Sequence, residues 1–238
     1  MSAVVRFFPA GDRALLVELG DGIDPETNRR VRALLQLLDR IPVAGVRDVI
    51  PSYRSLLVDY DPAVVDRGEL EARLRERLGR LDQASLPPPR MVEIPTLYGG
   101  DMGPDLEFVA RHHGLTPEEV VKLHAGGEYL VYLVGFSPGF PFLGGLPREL
   151  ATPRLDNPRL RVPAGSVAIG GEQTGVYPFP TAGGWRLIGR TPLQLFDPGR
   201  SEPFLLAPGD LVRFVPISRE EFHRLQQDAV SKGLGSGD

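Results

Sequence analysis

The chain has 238 residues, of which 42% are apolar and 24% are charged, a composition typical of a soluble globular protein. Its net charge of −4 does not favour nucleic acid or an anionic membrane as a partner, and the lack of a signal peptide or a membrane-length apolar run predicts a cytoplasmic protein. The sequence contains no cysteine, which excludes disulfides, thiolate nucleophiles and cysteine-ligated zinc or iron–sulfur sites.

The first hundred residues alternate between strand and helix patterns. Apolar residues at helical spacing predict a helix over 25–40 that is N-capped by Asp24, and a second helix after Asp66, with Glu69 completing a capping-box pattern. Alternating apolar residues predict strands over 4–8, 13–19, 46–53, 55–61 and 91–98. This order is the split-βαβ arrangement of a small α+β domain. The proline run at 87–89 is the best linker candidate, so we expect domains over 1–86 and 91–238.

The second part of the chain begins with two short helices between 105 and 125. Thr116 and Glu119 form a capping-box pattern at the second of these helices. A continuous apolar run over 128–136 predicts a buried strand. Residues 148–216 contain many short apolar runs separated by glycine and proline, which indicates a β-barrel or sandwich, and Ser218 caps a final helix.

The segment GFSPGFPFLGGLP at 135–147 is too broken for a helix and too proline-rich for a central strand. We interpret it as a stiff connection that shapes a site, with Phe136, Phe140 and Phe142 available for the core or a pocket wall. The sequence has no GxxxxGK[ST] loop, no GxGxxG after a strand, no HExxH and no GxSxG. If the protein takes part in ATP chemistry, we therefore expect another chain to bind the nucleotide.

Four histidines are candidates for acid–base chemistry. His112 and His113 lie at a helix end, where a cation complements the helix dipole, and His223 lies in a polar helix. His124 shares the inward face of its helix with Val120, so it is either a buried histidine with hydrogen-bond partners or a catalytic group.

The segment 161–191 combines polar and aromatic side chains with glycine turns. Arg190 could clamp a carboxylate or phosphate, and the glycines would let backbone N–H groups approach a ligand. Alternatively, the segment is a set of hairpins in which Trp185 is core and Arg190 pairs with a carboxylate such as Asp197. The side chains that favour the ligand pocket are Gln173, Thr174, Tyr177, Trp185, Arg190 and Thr191.

The motif GFSPGFPFLGGLP, followed by RVPAGSVAIGGEQTGVYPFPTAGGWRLIGRTPLQLFDP, strongly resembles the B subunit of the prokaryotic ATP-dependent 5-oxoprolinase. Members of this family are also described as Kip-type kinase inhibitors or allophanate hydrolase subunit 1. The resemblance extends to GDRALLVELG at 11–20 and to most of the chain. It implies a small α+β N-terminal domain and a cyclophilin-like β-barrel domain. It also implies two partners, the homologous C subunit of the 5-oxoprolinase complex and its A subunit.

The resemblance implies a hydrolase that opens 5-oxo-L-proline to L-glutamate with ATP and water, in which this chain is active only with its partners. We assign Arg190 to an anionic group, Gln173 and Tyr177 to polar substrate atoms, and His124 to proton transfer or orientation. Thr174, Trp185 and Phe140 complete the expected substrate site. We expect ATP to bind mainly to a different chain of the complex, and no metal site is evident in this chain.

Two other functions stay open at this point. One is inhibition of a sensor histidine kinase through the barrel domain, as Kip-type proteins are described. The other is a carboxyltransferase-type role on a different amide or urea substrate, because the same pair of folds occurs in urea carboxylase. The glycine-rich polar segment favours the enzyme role, since an inhibitor that binds only through its surface would not need it.

Overall fold

The computed structural model describes residues 5–234 and the side chains of residues 5–228. The chain divides into two compact units, of which the first ends at Pro89 and the second begins at Arg90. None of the helices in this described part is both long and apolar enough to cross a membrane.

The first unit is a four-stranded antiparallel sheet with two helices on one face. The Asp24 carboxylate accepts hydrogen bonds from the backbone N–H groups of Glu26 and Thr27, and Asp66 accepts one from Glu69, so both predicted N-caps are confirmed. The strands are β1 (Arg6–Pro9), β2 (Ala14–Glu18), β3 (Val46–Pro51) and β4 (Ser55–Tyr60), and the helices are α1 (Pro25–Arg40) and α2 (Arg67–Leu78).

The sheet order β1-β2-β4-β3 confirms the split-βαβ arrangement. Both β2 and β3 are antiparallel to β4, so β2, α1 and β3 form a βαβ unit with β4 inserted between its strands. Leu15, Val17, Leu56 and Val58 point from the sheet into a core that also contains Val31, Leu34, Leu70 and Leu74 from the helices.

The second unit is a closed seven-stranded barrel with the order β10-β7-β6-β13-β5-β12-β9, which confirms the predicted barrel and the mixed α+β class. Strands β8 and β11 form a separate two-stranded sheet. The strands are β5 (Met91–Tyr98), β6 (Tyr129–Val134), β7 (Pro141–Gly144), β8 (Arg159–Val162), β9 (Ser166–Gly170), β10 (Gln173–Val176), β11 (Thr181–Gly183), β12 (Arg186–Arg190) and β13 (Leu211–Pro216).

Three helices accompany the barrel: α3 (Leu106–His113), α4 (Pro117–Ala125) and α5 (Arg219–Leu234). The predicted capping box at α4 is confirmed, because Thr116 Oγ1 accepts from the Glu119 N–H and the Glu119 carboxylate accepts from the Thr116 N–H. The Glu221 N–H donates to Ser218 Oγ at the start of α5.

Strand β5 corrects the element order expected for the small domain. Residues 91–98 do not pair with the first sheet; β5 runs parallel to β13 and antiparallel to β12 within the barrel. Its inward side chain Ile94 belongs to the barrel core. Sequence adjacency suggested the wrong sheet, because an alternating strand pattern identifies a buried face but not the strands that pair with it.

Candidate functional site

An aromatic cavity of about 500 Å³ lies on the outer face of the barrel. In β9 and β10, Ile169 and Val176 point into the barrel core, whereas Ala168 belongs to a second apolar cluster outside it. The cluster also contains Phe140 before β7, Val162 of β8, Tyr177 after β10, and Trp185 and Leu187 before and within β12. Its residues that line the cavity are Phe140, Phe142, Tyr177 and Trp185.

Glycines in the barrel strands allow the large rings to lie directly on the backbone. A Cβ atom on Gly170 would lie 2.5 Å from Trp185 Cδ2, and one on Gly175 would lie 3.1 Å from Trp185 Cζ3 and 3.2 Å from Phe140 Cζ. A side chain at either position would therefore displace the aromatic rings. The glycines of the IGGEQTG run therefore make room for the aromatic rings and also form the turn between β9 and β10.

Phe140 holds the aromatic rings at defined angles. Its ring makes edge-to-face contacts with Tyr177, at 5.2 Å between centroids, and with Trp185, at 5.6 Å. Burial raises the pKa of the Tyr177 hydroxyl, which accepts a hydrogen bond from the Trp185 backbone N–H. The cavity wall is therefore a rigid aromatic surface with one neutral hydroxyl.

Arg154 is the only charged residue among the described residues that line the cavity. Its guanidinium carbon lies 5.7 Å from the centroid of the Trp185 ring, which is within cation–π distance. Within the described part of the chain, no carboxylate pairs with it, whereas the nearby Arg159 is paired with Asp105 at 2.8 Å. Arg154 is exposed and can therefore bind an anion at the mouth of the cavity.

Phe136 lines both this cavity and a second apolar cavity of about 550 Å³ that is formed by residues 134–139, residue 204 and residues 206–208. It is the only residue other than glycine with a positive φ, 65°, in the described chain, and it is 71% exposed. A phenylalanine in this backbone region is strained, and such strain is common at binding sites. Its ring meets Phe140 edge to face at 5.6 Å.

His124 lies inside the barrel rather than in the aromatic cavity. It is fully buried, its Nδ1 is 2.8 Å from the Tyr98 hydroxyl, and its Nε2 is 2.8 Å from Thr174 Oγ1. Thr174 donates its own proton to the Ala168 carbonyl, so it accepts from Nε2–H, and Tyr98 donates to Nδ1. Burial lowers the pKa of His124 to about 3, so this histidine is neutral near pH 7.

Two other residues expected at the site lie outside the aromatic cavity. Arg190 is partly buried and donates from Nε to the Ala164 carbonyl at 2.7 Å. Its alternative partner Asp197 instead pairs with Arg200. Gln173 is a partly exposed residue at the start of β10, opposite Gly170 of β9. The structure thus brings together Phe140, Tyr177 and Trp185, and it places His124 and Thr174 together at a different location.

The remaining histidines also have defined positions. His113 Nε2 lies 3.0 Å from Thr152 Oγ1, a tertiary hydrogen bond that the helix-end position did not predict. His223 is exposed, as its polar helix suggested. No group of three or more histidine, aspartate or glutamate side chains in the described residues could hold a metal ion.

Arg154 is the charged residue at the cavity that the sequence did not single out. It lies in the loop sequence TPRLDNPRL, which contains several ordinary surface residues and no motif. Only the position of this loop beside Trp185 distinguishes Arg154 from the other exposed arginines.

Comparison with known proteins identifies relatives across nearly the whole chain. Residues 5–206 match the family described as carboxyltransferase domain, subdomain C and D. The 5-oxoprolinase B subunit of Escherichia coli O157:H7 is 48% identical over 89% of this chain and 95% of its own length. The 5-oxoprolinase B subunit of Bacillus subtilis is 43% identical over 92% of this chain and 95% of its own length.

A solved structure shows a similar fold. The crystal structure of TTHA0988 is 43% identical in sequence and superposes with a TM-score of 0.76. The match covers 87% of this chain but 40% of that longer chain.

Proposed function

The chain belongs to the family of the carboxyltransferase domain, subdomains C and D, among the 5-oxoprolinase B subunits, and from this membership we propose that it is the B-type subunit of the complex that opens 5-oxo-L-proline to L-glutamate with ATP. The structural observation that supports the proposal is the aromatic cavity, whose only charged lining residue in the described chain, Arg154, has no carboxylate partner.

The chemistry of the cavity suits a small ring that carries one carboxylate. The ring of 5-oxo-L-proline is nearly flat and presents apolar faces, which can pack against Phe140 and Trp185. Its carboxylate can accept paired hydrogen bonds from the guanidinium of Arg154. The backbone at Gly183 and Gly184 lines the cavity without side chains and lets the ring approach closely. Tyr177 supplies one hydroxyl for a polar substrate atom.

ATP supplies the activation of the lactam carbonyl, and in this proposal it is bound by a different chain of the complex. The proposed partners are the C subunit, which is homologous in this family, and the A subunit. The residues of this chain bind and orient the ring, which favours reaction of the activated carbonyl at one face.

The proposed site differs in one respect from the site expected from sequence. Arg154 takes the anion-binding role that the sequence suggested for Arg190, because Arg154 lines the cavity. The roles of Arg190 and Gln173 in substrate binding stay predictions. For His124 we favour orientation over proton transfer, because both ring nitrogens already have partners and no atom of the residue is exposed.

The test is reconstitution of the complex. The chain is purified with the A and C subunits, and ADP and glutamate are measured with and without 5-oxo-L-proline. We expect substrate-dependent formation of both products that is lost when this chain is omitted. If neither product changes when the chain is added to the other two proteins, the proposal is wrong.

The same preparation examines the other two functions, which stay predictions. Urea and other amides replace 5-oxo-L-proline in parallel reactions, and a sensor histidine kinase is assayed for autophosphorylation with and without the chain. Product formation from urea alone, or kinase inhibition without any effect on the oxoprolinase reaction, would contradict the proposed substrate.

A further inference from the structure

The sheet of the first unit carries a continuous apolar row on the face opposite its helices. Phe8 of β1 lies opposite Leu16 of β2, Leu16 lies opposite Leu57 of β4, and Leu57 lies opposite Ile50 of β3. The neighbouring residues Leu15, Val17, Leu56 and Val58 point into the core, so these four point away from it. Phe8 is 42% and Ile50 is 52% exposed.

Single exposed apolar residues are common on protein surfaces, but a row in register across four strands is a different feature. Strands spaced about 4.8 Å apart give this row a length of roughly 15 Å. Both helices of the unit cover the other face, where Phe7 of β1 contacts Arg75 of α2 at 4.3 Å. The row is therefore the apolar centre of a sheet face that is not covered by its own helices.

A flank rich in arginine runs along one side of the row. On β1 and just before β4, Arg6 and Arg54 both contact the carboxylate of Glu18. The two guanidinium groups stay partly exposed, whereas Glu18 is mostly covered by them. Arg6 also contacts Asp21, which lies beyond the end of β2. This flank therefore combines two partly exposed guanidinium groups with the exposed carboxylate of Asp21.

An acidic flank runs along the other side of the row. Asp48 of β3 and Asp59 of β4 are direct cross-strand partners, an arrangement in which like charges repel. Arg13 approaches Asp59 at 3.5 Å, but no ion pair within the described residues involves Asp48. A cation from outside the unit would relieve this repulsion.

We propose that this face binds the same face of a second copy of the chain around a two-fold axis parallel to the apolar row. Such an axis keeps each strand opposite its own copy, so Leu16 and Leu57 pack against their symmetry mates. It also exchanges the two sides of the row, which brings Arg54 to the side of Asp59 on the same strand of the second copy, whereas Arg6 on β1 and Asp48 on β3 lie on opposite edge strands and do not meet. Arg54 then lies opposite Asp59 of the second copy, and the surface is complementary to itself.

The test measures the mass of the full chain by sedimentation velocity over a concentration series, in the absence of the other proteins of the complex. We expect a concentration-dependent dimer, because a single sheet face is smaller than the roughly 800 Å² per partner of a standard stable interface. Phe8→Glu and Ile50→Glu should each weaken the dimer at least about tenfold, since each places an unpaired charge in the apolar row. Ile23→Glu is the matched control, because Ile23 is 54% exposed and lies outside the sheet.

A charge exchange tests the direction of the axis. Arg54→Glu should weaken the dimer, and the double variant Arg54→Glu with Asp59→Arg should restore it, while circular dichroism confirms that each variant is folded. A chain that stays monomeric at every concentration, or a dimer that Phe8→Glu and Ile50→Glu leave unchanged, overturns the proposal. A double variant that does not recover rejects this two-fold arrangement. These measurements need no substrate, so their outcome is independent of the proposed enzymatic function.

Discussion

The interior of the barrel and the cavity on its outer face use similar side chains in opposite ways. Inside, Tyr98, His124 and Thr174 form a line of hydrogen bonds that ends at the Ala168 carbonyl. Outside, Arg154 lies over Trp185 at the mouth of an open cavity and has no carboxylate partner in the described chain. Polar groups with every partner inside the protein stabilise the fold, whereas an unpaired cation beside a cavity is available to a ligand.

The largest expected effect is on stability, when the line of hydrogen bonds inside the barrel is broken at His124. His124→Ala removes a buried ring and leaves the Tyr98 and Thr174 hydroxyls each with one partner fewer, so we expect a loss of roughly 3–5 kcal/mol in the free energy of unfolding. Urea denaturation measures this change. His223→Ala, at an exposed position, is the control and should change the value by less than about 0.5 kcal/mol. Equal effects of the two substitutions would show that His124 does not support the fold.

The pH dependence of stability separates the two regions further. The pKa of His124 is lowered from 6.5 to about 3 in the folded state, so the unfolded chain binds one more proton between these pH values. Stability contributed by His124 is therefore complete above pH 6.5 and falls on acidification by about 1.4 kcal/mol per pH unit. His124→Gln should have a shallower slope in the same urea titrations over this window. Identical slopes would mean that His124 does not titrate on unfolding.

A change at the outer cavity should affect substrate binding rather than stability. Arg154→Gln removes the charge that is proposed to bind the substrate carboxylate, so we expect KM for 5-oxo-L-proline to rise roughly ten- to hundredfold in the reconstituted complex. Arg148→Gln changes an exposed arginine outside the cavity and should leave KM as in the wild type. The melting temperatures of both variants should match that of the original chain. A normal KM for Arg154→Gln would remove the arginine from the proposed site.

The smallest expected effect is at Phe136, which borders both cavities. Glycine adopts its positive φ without strain and alanine does not, so Phe136→Gly should be about 1 kcal/mol more stable than Phe136→Ala. Both variants lose the ring contact with Phe140 and should bind substrate more weakly to a similar degree. Thermal unfolding of the pair isolates the backbone contribution. An alanine variant as stable as the glycine variant would show that this position carries no strain.

Local features were predictable from the sequence because their causes are local. The N-caps Asp24 and Asp66 and the capping box of Thr116 and Glu119 depend on residues within three positions of each other. The inward position of His124 followed from its helical spacing after Val120, and the structure confirms it. The short apolar runs between glycines predicted a barrel or a sandwich, and the resemblance to the family of 5-oxoprolinase B subunits, which rested on long motifs, implied the barrel.

The site was predictable only in part, because a segment rich in glycine does not specify which faces of its strands meet. Thr174 and Tyr177 are three residues apart, yet Thr174 points into the barrel and Tyr177 packs outside it. The sequence grouped them in one pocket, since both are polar and both lie between glycines. Side chains alternate between the two faces of β10, which ends just before Tyr177. Residues 174 and 177 therefore point to opposite sides of the barrel wall.

The sequence by itself therefore determined the helix caps, the alternating strands, the absence of thiol chemistry and the membership of a family. Tertiary structure alone decided that residues 91–98 join the barrel, that Arg154 rather than Arg190 lines the aromatic cavity, and that Phe8, Leu16, Leu57 and Ile50 form one row. The physical reason is the range of the interactions. Capping and periodicity act within a few residues, whereas strand pairing and cavity formation join residues that only the packed chain brings together.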